Sequence, residues 1–223
     1  MRNELLKATV VATAAVTLLG AGYFIRAEYQ ALTDFSRDVR STYTQAAENP
    51  VEFANSHSTF SQNRQMESCV SMQLSLVGSL FPSPNRQGVA NGCLERAEAI
   101  LAQSPAESLA YVAKAASFAN LGDYEAAREN LAIARQIAPN EGWQAAYRAQ
   151  LAFFIDRLDD SYLDESDADD LRLMLASNRQ LDALASLFNR YSKRQDFVIA
   201  ALENEPGDRQ RRFLNRIRSS NTN

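Results

Sequence analysis

Residues 8–25, ATVVATAAVTLLGAGYFI, carry no charge over 18 positions, with Arg2 and Lys7 before them and Arg26 after. As a helix rising ~1.5 Å per residue, the run is about 27 Å long, against about 30 Å for a bilayer hydrocarbon core. Lys7 can snorkel and let Leu5 and Leu6 extend the apolar length. A helix buried in a soluble core rarely lacks charge on every face. The run reads as a transmembrane signal anchor behind a short head, 1–7. A cleaved signal peptide is the competing reading. Against it, Tyr23, Phe24 and Ile25 fill the end of the run, where a small-x-small cleavage site belongs. No Cys directly follows the run to take a lipid.

Thr9, Thr13, Thr17 and Ala21 recur every four residues and share one helix face. Small residues at that spacing let membrane helices approach closely, although Ala and Thr are also common filler in such segments. Orientation is not decided by charge, because Arg26, Arg37 and Arg40 balance Arg2 and Lys7. The short head is the pattern of a signal anchor whose body lies outside the cytoplasm. That implies a single-pass protein of a bacterial inner membrane with a periplasmic body.

The helical period continues past the membrane. Ile25, Tyr29, Leu32, Ser36, Val39, Tyr43 and Ala46 are spaced 4, 3, 4, 3, 4, 3, a heptad seam with one polar member. It predicts an amphipathic stalk helix over 26–48, closed at Asn49-Pro50 because the residue before Pro resists the α region. The seam can pair with a second copy or lie on the chain's own body. A polar linker over 49–65 follows. Residues 66–81 are apolar at helical spacing, and 82–92, PSPNRQGVANG, read as a loop. Cys69 and Cys93 are the only cysteines. In an oxidising compartment they can form a disulfide contributing about 3 kcal/mol; otherwise they are two buried thiols behaving as small hydrophobes.

Ser104-Pro105-Ala106-Glu107 has the pattern of a capping box with Pro at the first helical position, opening a helix to about Asn120. Gly122 ends it, Asp123 caps a second helix to about Ala138, and Pro139 blocks further extension. Asn140 then caps a third helix over 141–158. Pro105 and Pro139 are 34 residues apart. With Tyr111, Ala115, Phe118, Ala127, Leu131 and Ala134 between them, these residues resemble a tetratricopeptide repeat. Lys114 departs from the motif, which has Leu there. Small residues at 115, 127 and 134 let two helices approach, and the bulky ones fill the gaps beside them. The resemblance covers 105–139 and implies an all-α chain with a short tetratricopeptide-like solenoid over 66–158. It also implies that first helices line a concave groove, here Leu109, Val112, Ala116, Ala119 and Asn120. That groove either receives an amphipathic segment of a partner or is covered by the chain's own stalk or C-terminal helix.

Residues 156–170, DRLDDSYLDESDADD, hold eight acidic side chains and one Arg. Without a central Gly and with the wrong spacing they do not make a calcium loop. The stretch 159–170 reads as a solvated acidic loop that places Ser166 or Asp167 as a helix cap. Three or four short helices follow over 171–219 as a C-terminal cap, and 220–223 form a disordered tail. Arg209, Arg211, Arg212, Arg216 and Arg218 cluster on the last helix, where cations favour the helix C-terminus or meet anionic lipid or glycan.

His57 and the two cysteines show no zinc-ligand spacing, so neither metal nor cofactor is expected. A net charge of −4 argues against a general nucleic-acid binder. Nucleophile, phosphate-loop and metalloprotease motifs are absent, so no enzymatic role is expected. The expected role is a membrane-anchored scaffold or assembly factor of a bacterial envelope complex, in secretion, surface-polymer or envelope biogenesis, acting by protein–protein interaction. Self-association through the stalk or membrane helix fits the same reading. A cytoplasmic-facing adaptor and a helical muralytic enzyme using carboxylates alone are the alternatives.

Overall fold

A computed structural model describes residues 2–35, 38–46, 48–49, 51–160 and 163–220. Among them every regular element is helical. Helix α1, Arg2–Phe35, contains one apolar stretch, Thr9–Ala31, of mean hydropathy 1.6, exposed or half-exposed along its length except for the buried Ala31 at its end. It is long and apolar enough to cross a membrane, and the anchor and the start of the stalk are one unbroken helix.

The stalk does not continue as a single helix. Helix α2, Val39–Gln45, starts afresh because the Asp38 carboxylate accepts the Ser41 N–H at 2.8 Å and caps it. The heptad seam therefore splits. Ile25 and Tyr29 are 69% and 67% exposed, whereas Tyr43 and Ala46 are 1% and 4% exposed in the core. Ser36 of the seam and Pro50 of its stop lie outside the described residues.

Helix α3, Thr59–Gln73, begins inside the expected linker, because the Ser58 hydroxyl caps it. A one-turn helix, α4 (Leu76–Ser79), follows. The expected loop 82–92 is corrected outright: it forms the first half of α5, Ser83–Gln103. Pro84 sits in the first turn, where a missing N–H costs nothing. Gly88 and Gly92 are not turn residues. A Cβ at Gly88 would collide with the Ala46 carbonyl, and one at Gly92 with that of Val51. The glycines let the backbone at Ala46 and at Val51 lie directly on α5, where the Val51 N–H donates to the Gly88 carbonyl.

Helices α6 (Ser108–Leu121), α7 (Tyr124–Ile137) and α8 (Gly142–Asp159) follow. The capping box at 104–107 does not form. Those residues make a turn, Glu107 is the N-cap, and its side chain caps nothing. Glu141, not Asn140, is the N-cap of α8; its carboxylate accepts from the Trp143 indole N–H at 3.2 Å rather than capping the backbone. The two turns share a geometry at 34-residue separation: Glu107 has φ −82° and ψ 94°, Glu141 φ −83° and ψ 93°. Gly122, at φ 91°, closes α6, and Asp123 caps α7 through the Ala126 N–H. The Ser108 hydroxyl donates to the Ala134 carbonyl at 2.9 Å, tying the start of α6 to the end of α7. Ala115, Ala127, Leu131 and Ala134 are buried between these helices; Tyr111 and Phe118 are half-buried beside them. Pro139 follows in the turn after α7. Lys114 keeps its amine at the edge, 3.2 Å from Glu98 and over the Phe118 ring.

Helices α9 (Glu165–Ala176), α10 (Leu181–Arg190), α11 (Gln195–Leu202) and α12 (Gly207–Ser220) close the chain, with single 3₁₀ turns at 178–180 and 192–194. Residues 221–223, most of the expected tail, lie outside the described residues. One continuous apolar core runs from Tyr43 to Phe213.

Candidate functional site

The five groove positions are interior rather than open. Leu109, Val112, Ala116 and Ala119 are buried, and α3 and α5 pack on α6. Asn120 is half-buried and donates back to the Ala116 carbonyl at 2.9 Å. The helices packed on α6 are α3, α5, α7 and α8 of the body, rather than the stalk or the C-terminal helix. Cys69 of α3 and Cys93 of α5 are bonded, with Cα atoms 5.7 Å apart, and both are buried. Gln73 of α3 donates to the Ser117 hydroxyl of α6 at 3.2 Å.

The acidic stretch is a solvated loop only in part: Asp159, Asp160, Asp164, Glu165 and Asp169 are exposed, but 165–170 belong to α9. Asp156, Asp167 and Asp170 are buried, each against arginine. Arg148, itself fully buried, donates to Asp170 at 2.5 Å and to the Ala138 carbonyl at 2.9 Å. Arg135 bridges Asp167 and Asp170, and Arg194 grips both oxygens of Asp156. The cap of α9 is Asp164, which accepts the Ser166 and Asp167 N–H groups, while Asp167 reaches back to the Asp164 N–H. Burial acts to raise the Asp164 carboxyl; the hydrogen bonds from Ser166 and Asp167 and the charge of Arg135 outweigh it and hold the group below the usual range. Carboxylates saturated in this way stitch α7, α8 and α9 together and offer no free acid–base pair. On α12, Arg216 pairs with Asp182 of α10 and Arg212 donates to Asn178, contacts that tie the helix to the body, whereas Arg209–Glu205 and Arg212–Asp208 are local pairs four residues apart.

Another buried polar hub holds the segment before α3. Arg96 donates to Gln65 and Ser56 at 2.8 Å each, and Gln65 donates to the Ala54 carbonyl. The segment's far end meets α1. The Glu28 carboxylate accepts the N–H groups of His57 (2.6 Å) and Ser58 (2.9 Å) and the hydroxyls of Ser58 and Ser61 (2.6 and 2.5 Å). An anion at the start of a helix satisfies its orphan donors and its dipole, so Glu28 fastens α3 to α1. His57 packs against Tyr23 and Phe24, with ring centroids 6.2 and 5.2 Å away. Among the described residues no group of three metal-ligating side chains converges.

Exposed apolar surface occurs on both α1 and the body. On α1, Thr9, Thr13, Thr17 and Ala21 face outward, and the Thr13 and Thr17 hydroxyls donate to the carbonyls four residues back at 2.9 Å. That face presents methyl groups with its polar atoms already satisfied. On the body, Leu76, Val77 and Leu80 are 59%, 42% and 83% exposed. They stand beside Phe81, which stacks on Tyr43, and the Tyr43 hydroxyl donates to the Met72 carbonyl at the end of α3. In sequence Val77 and Leu80 continue the apolar period of 66–81. The Ser75 cap at the start of α4 breaks that period and turns them outward.

No protein-family model, curated protein or solved structure matches this chain.

Proposed function

We propose that this is a single-pass membrane protein whose helical body scaffolds or assists assembly of a bacterial envelope complex by protein–protein contact. The observation that carries the reading is the α4 patch. Three large apolar side chains within five residues stay exposed, whereas the body's other exposed large apolar side chains, Phe60, Ile133, Leu158, Ile199 and Leu214, are scattered singly along the sequence. Contiguous apolar exposure of this kind marks an interaction surface.

Its place in the fold suits that role. Glu28 meets the start of α3 and Tyr43 its end, so α4 lies at the far end of α3 from the apolar part of α1. For 15 residues that is about 22 Å of reach. The buried Cys69–Cys93 bond supports an oxidising compartment, hence a periplasmic body. The turn geometry recurring at 34 residues supports the tetratricopeptide-like reading of 105–139.

The test is photo-crosslinking in intact cells from residues 76 and 80 of the anchored chain, with Glu125 on the exposed side of α7 as control. Both α4 positions should yield the same discrete adduct in the membrane fraction, and position 125 none. Absence of an adduct at both α4 positions removes the basis for the scaffold reading.

A further inference from the structure

The apolar run of α1 and the start of α3 are at the same level. His57 touches Phe24 and Tyr23, residues of the final turn of that run, and Glu28, three residues past Ile25, is bonded to Ser58 and Ser61. Three residues of helix advance only about 4.5 Å, less than the thickness of one lipid headgroup layer, about 5–8 Å. The joint has no slack, because α1 is unbroken from Arg2 to Phe35 and four hydrogen bonds hold Glu28.

The side chains displayed at this corner fit the headgroup layer. Tyr23, Phe24 and Phe60 are 65%, 53% and 62% exposed, and His57 is exposed between the helices. The Arg64 guanidinium lies over the Phe60 ring, 5.6 Å from its centroid. Aromatic rings with polar tips and a stacked cation are the composition of a membrane–water interface belt.

We infer that the corner formed by His57 and Phe60 with Tyr23 and Phe24 is a foot that seats the body in the lipid headgroup layer. The occupant of this surface is the bilayer that α1 enters, so the inference rests on the reading that α1 spans the membrane. The foot would hold α3 at a set angle and keep α4 clear of the lipid.

The test uses the full chain in proteoliposomes containing lipids brominated either near the headgroup or deep in the acyl chain. Trp143→Phe removes the native tryptophan, and single tryptophans are introduced by Phe60→Trp, Leu80→Trp or Val16→Trp. Leu80→Trp carries the same interfacial preference as Phe60→Trp, so it controls for probe bias. Shallow bromines should lower the Phe60→Trp emission by roughly half and leave Leu80→Trp unchanged, while deep bromines quench Val16→Trp. If Val16→Trp is quenched and Phe60→Trp is not, the anchor stands and the foot is overturned. If neither is quenched, the spanning reading fails and the foot fails with it.

Discussion

Arg148 donates to Asp170 across 2.5 Å, with both side chains withdrawn from solvent, at 0% and 2% exposure. A buried pair of this kind adds little over an apolar pair of the same shape, yet removing one partner strands a charge. Asp170 also receives Arg135, so it is the anion that joins α7 and α8 to α9. Asp170→Ala should destabilise the protein by about 3–5 kcal/mol. The double variant Arg148→Met with Asp170→Leu should lose markedly less. Urea unfolding of the full chain in detergent, followed by circular dichroism, measures both. Equal losses would mean that the interior charge is not stranded.

Gly88→Ala and Gly92→Ala provide a test of sign. In an ordinary helix interior, Gly→Ala stabilises by about 0.8–1 kcal/mol. Here each new methyl meets the carbonyl of Ala46 or Val51, so each should destabilise by about 1–3 kcal/mol. Thermal melts of the two variants decide it. A raised midpoint would show that the Ala46 and Val51 backbone does not lie against α5.

Asp164 predicts an acid-dependent effect. Its folded carboxyl is held below the usual range of about 4, so its contribution is present above that value and lost as pH falls through the lower folded value. Asp164→Ala should cost about 1 kcal/mol at neutral pH. The gap between variant and parent should narrow as pH drops below about 4. Denaturant titrations at several pH values read it. A gap that is constant with pH would contradict ionic capping.

The Cys69–Cys93 bond closes a separation of 24 residues. Cys93→Ser, which leaves a single thiol, should lower stability by about 3 kcal/mol. Non-reducing peptide mapping of protein exported from the cytoplasm should find the two cysteines in one linked fragment. Two alkylatable thiols in that material would remove the support for an oxidising compartment.

Local signals were legible wherever a residue and its nearest helical neighbours decide the outcome. The uncharged run at 8–25, the Gly122–Asp123 stop and cap, and the 34-residue spacing are of this kind, because a helix boundary depends on about one turn of chain. They determined an all-helical chain with one membrane-length helix. Signals that are the same locally but depend on distant partners were not legible. Gly88 and Gly92 carry the usual mark of a loop, yet here they admit a crossing backbone. The aspartates of 156–170 look like a solvated run, yet Asp170 meets Arg148, 22 positions away, and Asp156 meets Arg194, 38 positions away. The groove face of α6 is apolar in sequence whether a partner or the body's own helices cover it. Only the tertiary structure decided these matters, because burial and charge pairing arise from elements remote in sequence that pack together. It likewise turned Leu76, Val77 and Leu80 outward and brought His57 to the end of the apolar helix.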